Sequence, residues 1–200
     1  MKNSMIHKDY FLSGFMILTI LLIMPAKAFS AGPRETLENN LNQILEVLRE
    51  PGAERKSKIE KITEITEKLF DFRAIAERSL GVYWRKLGEG QKKRFVELYK
   101  SLLKKTYADK ILSYEGEKIN YEKTIKFGDN NAEVFTSVPT KNGKIPVNYR
   151  MYKNDGDWKV YDVVIEGVSL VGNYKSQFTD ILARKSIDEL FNILEKKTAH

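Results

Sequence analysis

Apolar residues recur at helical spacing through the first half of the chain and alternate in the second. Pro33 opens the first helical stretch, where its missing N–H is not needed. Leu37, Leu41, Ile44, Leu45 and Leu48 form its stripe, and Pro51-Gly52 ends it. A second helix carries Ile59, Ile62, Ile65 and Leu69 on one side, with Lys and Glu elsewhere. Asp71 is a plausible N-cap for a short third helix through Ile75 and Ala76, stopped by Gly81. The longest helix runs from Gln91 to Tyr114, with Phe95, Leu98, Tyr99, Leu102, Leu103, Tyr107 and Ile111 as its stripe and Gly116 as its end.

Strand patterns follow over Lys118–Phe127, Ala132–Val138, Ile145–Tyr152 and Trp158–Ile165. Turn signals separate them: Gly128-Asp129-Asn130, Asn142-Gly143 and Asn154-Asp155-Gly156. After a Gly-Val-Ser loop, two more helices span Asn173 to Lys185 and Ser186 to Lys197. The pattern predicts an α+β fold, a curved antiparallel sheet of about four strands packed against several helices. Such a sheet-and-helix cone commonly encloses a cavity.

The extreme N-terminus has a different pattern. Tyr10 to Met24 is an uncharged apolar run behind Lys2 and Lys8. Pro25 and then Ala26-Lys27-Ala28 follow, a small-x-small cleavage site. The run is short for a membrane anchor, which needs roughly 17–25 apolar residues. Residues 1–28 therefore read as a cleavable secretory signal peptide, leaving 29–200 as one domain. No later run approaches a membrane span. Export without cysteine suits a bacterial periplasm, where folding need not rely on disulfides.

Composition narrows the chemistry. Hydrophobic residues are 42% and charged residues 30%, a globular balance. Without cysteine there is no disulfide, thiolate metal site or cysteine nucleophile. The two histidines, His7 and His200, lie near the chain ends, which leaves little for a triad or a histidine metal cluster. The net charge is +7, and residues 1–28 hold three lysines and one aspartate, so the remainder carries +5. The long helix concentrates positive charge in Lys92, Lys93, Arg94, Lys100, Lys104, Lys105 and Lys110, against Glu97 and Asp109. That side is either a solvated face or an attraction for anionic lipid or an acidic protein surface. Export argues against nucleic acid as a partner.

No catalytic or metal-binding residue is assigned. Asp162 and Glu166, four apart on one strand, would sit roughly 13 Å apart. Glycosidase pairs need at most about 9.5 Å. A structural Asp162 bonding nearby backbone fits better. Asp129, Asp155 and Asp157 are turn residues and make no calcium loop. Ser169 has no G-x-S-x-G elbow, and Gly88-Glu89-Gly90 lacks a third glycine and a preceding strand. The stripes are rich in aromatic residues, which serve a packed core and an apolar pocket equally.

Two segments carry a resemblance. One is Phe70-Asp71-Phe72, Leu80-Gly81-x-x-Trp84, Gln91-x-x-x-Phe95, Leu103 and Thr106-Tyr107. The other runs unbroken from Trp158 through Glu166-Gly167-Val168-Ser169 to Phe178. Together they resemble the MlaC family, the periplasmic phospholipid-binding component of the Mla lipid transport system, also called the toluene-tolerance auxiliary component of an ABC transporter. The resemblance covers essentially all of residues 29–200. Lys175 stands where the family often has arginine, which would lose a bidentate contact.

The resemblance implies a soluble periplasmic carrier, not an enzyme, with bound phospholipid as cargo and no cofactor. It implies shuttling between an outer-membrane lipoprotein complex and an inner-membrane ABC transporter complex, in maintenance of lipid asymmetry. Acyl chains would lie in a deep apolar cavity between sheet and helices. On the matched segments the expected wall is Phe72, Ile75, Leu80 and Trp84, then Tyr99, Leu102, Leu103 and Tyr107. Val147, Tyr149, Val164 and Val168 would come from the sheet and its exit, and Val171, Tyr174 and Phe178 from the mouth or end wall. Arg150 and Lys175 are candidates near the head group, and Lys104 and Lys105 for head group or partner. Hopanoid-associated relatives share the pattern, so another lipid is an alternative cargo. A cavity-fold enzyme using Asp162 with a tyrosine is the other reading.

Overall fold

The computed structural model describes residues 31–114, 118–141 and 143–199. The expected signal peptide, Gly116 and Asn142 lie outside them. Helix α1 spans Pro33–Arg49, α2 Arg55–Leu69 and α3 Phe72–Leu80. A 3₁₀ segment, Gly81–Lys86, leads into α4, Glu89–Leu112. The strands are β1 Asn120–Phe127, β2 Asn131–Thr140, β3 Gly143–Asn154, β4 Asp157–Ile165 and the short β5 Val168–Ser169. Helices α5, Leu170–Leu182, and α6, Ile187–Thr198, complete the chain.

Side chains at the helix ends explain where these elements begin. The Asp71 carboxylate accepts from the Ala74 N–H at 2.8 Å, satisfying a donor that the first turn leaves open. Gly81 ends α3 at φ 57°, ψ −122°, a conformation that glycine reaches without a Cβ penalty. Ser186 and Glu189 cap one another at the start of α6, with the Ser186 N–H donating at 2.8 Å and its hydroxyl accepting at 3.3 Å. Helix α5 starts three residues before the expected Asn173, because Ser169 accepts from the Gly172 N–H at 2.9 Å. The expected Gly-Val-Ser loop supplies that cap and also pairs with β4 as β5.

The five strands form an open antiparallel meander in the order β1-β2-β3-β4-β5. Tyr149 lies opposite Val134 on one side and Val163 on the other, so these three share a face. Register shifts at Arg150/Met151: Arg150 opposes Asp162, but Met151 opposes Val160. Tyr161 is thus an extra residue, a β-bulge. It moves Val163 and Ile165 onto the face of Val160 and Trp158, and Asp162 and Val164 onto the other.

Buried side chains form two clusters. One joins α3 to α6 around Phe95, Tyr99, Phe178 and Phe191. The other packs Leu37, Leu41 and Leu45 of α1 on Val134, Tyr149, Met151 and Val160 of the sheet. Phe70 packs against both. It also forms a parallel bridge with Val160 at the edge of β4, and the Asp71 N–H donates to the Val160 carbonyl at 2.9 Å.

Candidate functional site

An apolar cavity of about 270 Å³ lies where the helices meet the sheet. Helix α2 supplies Ile59, Ile62, Thr63 and Thr66, and α4 supplies Leu103, Tyr107, Ala108 and Ile111. The sheet contributes Val147, Tyr149, Val163 and Ile165. The threonines do not make the wall polar. Thr63 donates its hydroxyl to the Ile59 carbonyl at 2.6 Å, and Thr66 to the Thr63 carbonyl at 2.9 Å. Each hydroxyl is thereby spent inside its own helix.

Charge is confined to a few positions around this wall. Lys100 pairs with Glu67 at 2.5 Å, tying α4 to α2, and that hydrogen bond raises the ammonium pKa above its ordinary value. Lys104 also borders the cavity and makes no ion pair among the described residues. Burial pushes the Tyr149 phenol up to about 12 and raises that of Tyr107. Both remain neutral near pH 7.

Of the expected wall, the cavity brings together Phe72, Ile75, Leu103, Tyr107, Val147 and Tyr149. Leu80, Trp84, Tyr99, Leu102, Val171, Tyr174 and Phe178 sit instead in the helical cluster. The ring of Tyr99 lies 5.0 Å from Tyr174 and 5.2 Å from Phe178, and its hydroxyl meets Ser79 Oγ at 3.1 Å. Such edge-on aromatic contacts pack these rings directly against one another. Val164 is buried on the sheet face opposite Val163, and Val168, the first residue of β5, is 61% exposed.

The cationic candidates are dispersed. Arg150 reaches Asp162 at 3.1 Å and Glu133 at 3.8 Å. Lys105 donates to the Lys197 carbonyl of α6 at 2.9 Å. The stem of Lys175 lies over Gly81, its Cε 3.2 Å from where a Cβ would stand.

Asp162 borders the cavity and is 4% exposed. Its carboxylate accepts from Ser169 Oγ at 2.6 Å, the Val171 N–H at 3.0 Å and Arg150 at 3.1 Å. These bonds pin the start of α5 to β4. Glu166 is not on the strand. It lies beyond Ile165 in a turn at φ 49°, so the expected placement of both carboxylates on one strand does not arise.

Helical stripes held the signal for some of the missed residues, since Ile59 and Ile62 stand on the stripe of α2 and Ile111 on that of α4. Val163 and Ile165 gave none, because the bulge reverses the alternation.

Helices laid against an open antiparallel meander, with an apolar cavity between the layers, define an α+β cavity protein. The chain belongs to the MlaC family: the model of the MlaC protein matches residues 38–196. It is 28% identical over 125 residues to the intermembrane phospholipid transport system binding protein MlaC of Haemophilus influenzae, spanning 60% of this chain and 58% of that protein. It is 25% identical over 179 residues to the toluene tolerance protein ttg2D of Pseudomonas putida, covering 86% of this chain and 83% of the relative. The fold resembles that of the phospholipid-binding protein from Ralstonia solanacearum, solved in complex with a phospholipid. The TM-score is 0.77 at 24% identity, over 84% of this chain and 98% of that one.

Proposed function

We propose that this chain is a periplasmic phospholipid carrier, exported by residues 1–28 and matured to a single lipid-binding domain. Its cavity shields acyl chains while the protein moves between an outer-membrane lipoprotein complex and an inner-membrane ABC transporter complex. The observation that carries this reading is the apolar cavity between sheet and helices in a member of a family whose relatives are named for phospholipid binding and transport. Each methylene kept from water is worth about 0.8 kcal/mol, so free passage of two chains through water is prohibitive. A largely apolar cavity removes that barrier without a covalent step. The position of Lys104 at the cavity border supports a contact with a lipid phosphate.

The alternative use of Asp162 as an acid or base competes with its bonding. Three donors already engage the carboxylate and serve the start of α5. A structural role for Asp162 supports the carrier reading.

Transfer of a fluorescent phosphatidylethanolamine between donor and acceptor vesicles tests the function. Ile59 is half-buried on the α2 wall, so Ile59→Glu places a charge in the cavity at modest cost to folding. The expected result is transfer by the natural chain and loss of transfer in Ile59→Glu at unchanged far-UV circular dichroism. Equal transfer by both proteins would remove the cavity from the function.

A further inference from the structure

A second apolar chamber, of about 550 Å³, lies between α1, the end of α4 and the β2–β3 hairpin. Ile44 and Leu48 of α1 face Ile119, Val138 and Ile145 across it. Ile111 belongs to the walls of both chambers. This large apolar side chain is 36% exposed, although it stands among apolar neighbours. Packing has left it uncovered at the point where the two spaces meet.

Cations stand beside both chambers on the same helix. Lys104 borders the first and Lys110 the second, one on each side of Ala108. Lys110 also lies over the Tyr107 ring at 5.8 Å. A phosphate held near this stretch of α4 would have an apolar space on either side of Ile111.

We infer that Ile111 divides the two acyl chains of one glycerophospholipid, one entering the chamber under α2 and the other the chamber under α1. This rests on the carrier reading and goes beyond it. The second chamber is a separate acyl-chain site, and cargo with two chains is selected over cargo with one. Chain selection follows from geometry, because a single-chain lipid leaves one apolar chamber uncovered. Withdrawing cover from two methylenes already costs about tenfold in affinity.

The test compares dioleoyl phosphatidylglycerol with its single-chain lyso form. Ile44 is half-buried and lines the second chamber alone, so Ile44→Trp fills that space. Ala108→Trp does the same for the first. The natural chain is expected to prefer the two-chain lipid, and each variant to lose at least about tenfold of that preference while still taking the single-chain form. Preferences unchanged in Ile44→Trp would overturn the inference and leave the carrier reading standing. Binding of neither lipid by the natural chain would overturn both.

Photo-cross-linking gives a second readout that needs no folded variant. Phosphatidylglycerol with a diazirine at the end of each chain, bound to the unmodified protein, should label α1 residues near Ile44 as well as α2 residues near Ile59. Labelling confined to α2 would contradict a divided cargo.

Discussion

Single residues join the layers that make the cavity, and Asp162 does so most directly. It is buried and bonded to the loop before α5, the α5 backbone and Arg150. Breaking a fully buried ion pair costs about 3–5 kcal/mol. The Arg150 side chain is 41% exposed, so solvent screens part of this pair. Asp162→Ala is accordingly expected to lower stability by about 2–3 kcal/mol in urea unfolding. Asp71 acts similarly, capping α3 and accepting the Tyr152 hydroxyl from β3. Gly81 is a backbone case. A Cβ there would be strained at φ 57° and would press on Lys175 Cε. Gly81→Ala should cost about 1–3 kcal/mol, read by the same unfolding experiment. The Asp71 cap and the Gly81 stop were legible because capping chemistry is local. The partners of Asp162 were legible only as a tendency, since Arg150 comes from another strand.

At the scale of elements, helix stripes were easy to read and their destinations were not. The long helix has one continuous apolar stripe, yet the structure divides it between two uses. Phe95, Tyr99 and Leu102 pack into the helical cluster alone, Leu103 and Tyr107 both join that cluster and line the cavity, and Ile111 lines the cavity. A stripe records that a face leaves water, not whether it meets protein or an open space. Strand β4 hid its orientation for a different reason. The bulge at Tyr161 puts Asp162 and Val164 on the sheet face opposite Trp158 and Val160, a switch that the sequence of the strand does not mark. Helix α2 reads as an ordinary amphipathic helix, and its threonines conceal its place on the wall by bonding within the helix. Its tie to α4, the Lys100–Glu67 pair, is partly exposed. Glu67→Gln should therefore cost under about 1 kcal/mol in thermal unfolding, with the larger part of α2 docking retained by Ile62 and Leu69.

For the whole molecule, the α+β class and the helix-then-meander order followed from periodicity alone. The boundary between packed core and cavity did not, because it depends on how two apolar clusters meet around Phe70. The charge of the long helix is also redistributed by tertiary contacts. Arg94 pairs with Glu195 and Lys100 with Glu67 on other helices, and Lys92 pairs with Glu89 within α4, so part of its positive face is answered by other side chains. Titration of the fold follows from its buried phenols. Tyr149 has an ordinary value of 10.0 and is pushed up to about 12 by burial. The folded state therefore keeps a proton that the unfolded chain releases, and stability falls as pH rises above about 10. Stability from this source is fully present below that value. An alkaline unfolding series should show the loss beginning near pH 10, and Tyr149→Phe should reduce its slope.

A carrier of this kind must hold phospholipid in its cavity. Native mass spectrometry of the protein purified from a bacterial host without detergent tests it most directly. The expected spectrum contains the chain plus the mass of a diacyl glycerophospholipid, released at higher collision energy. A spectrum with only the bare chain, under conditions gentle enough to keep non-covalent complexes, would rule out phospholipid as its cargo.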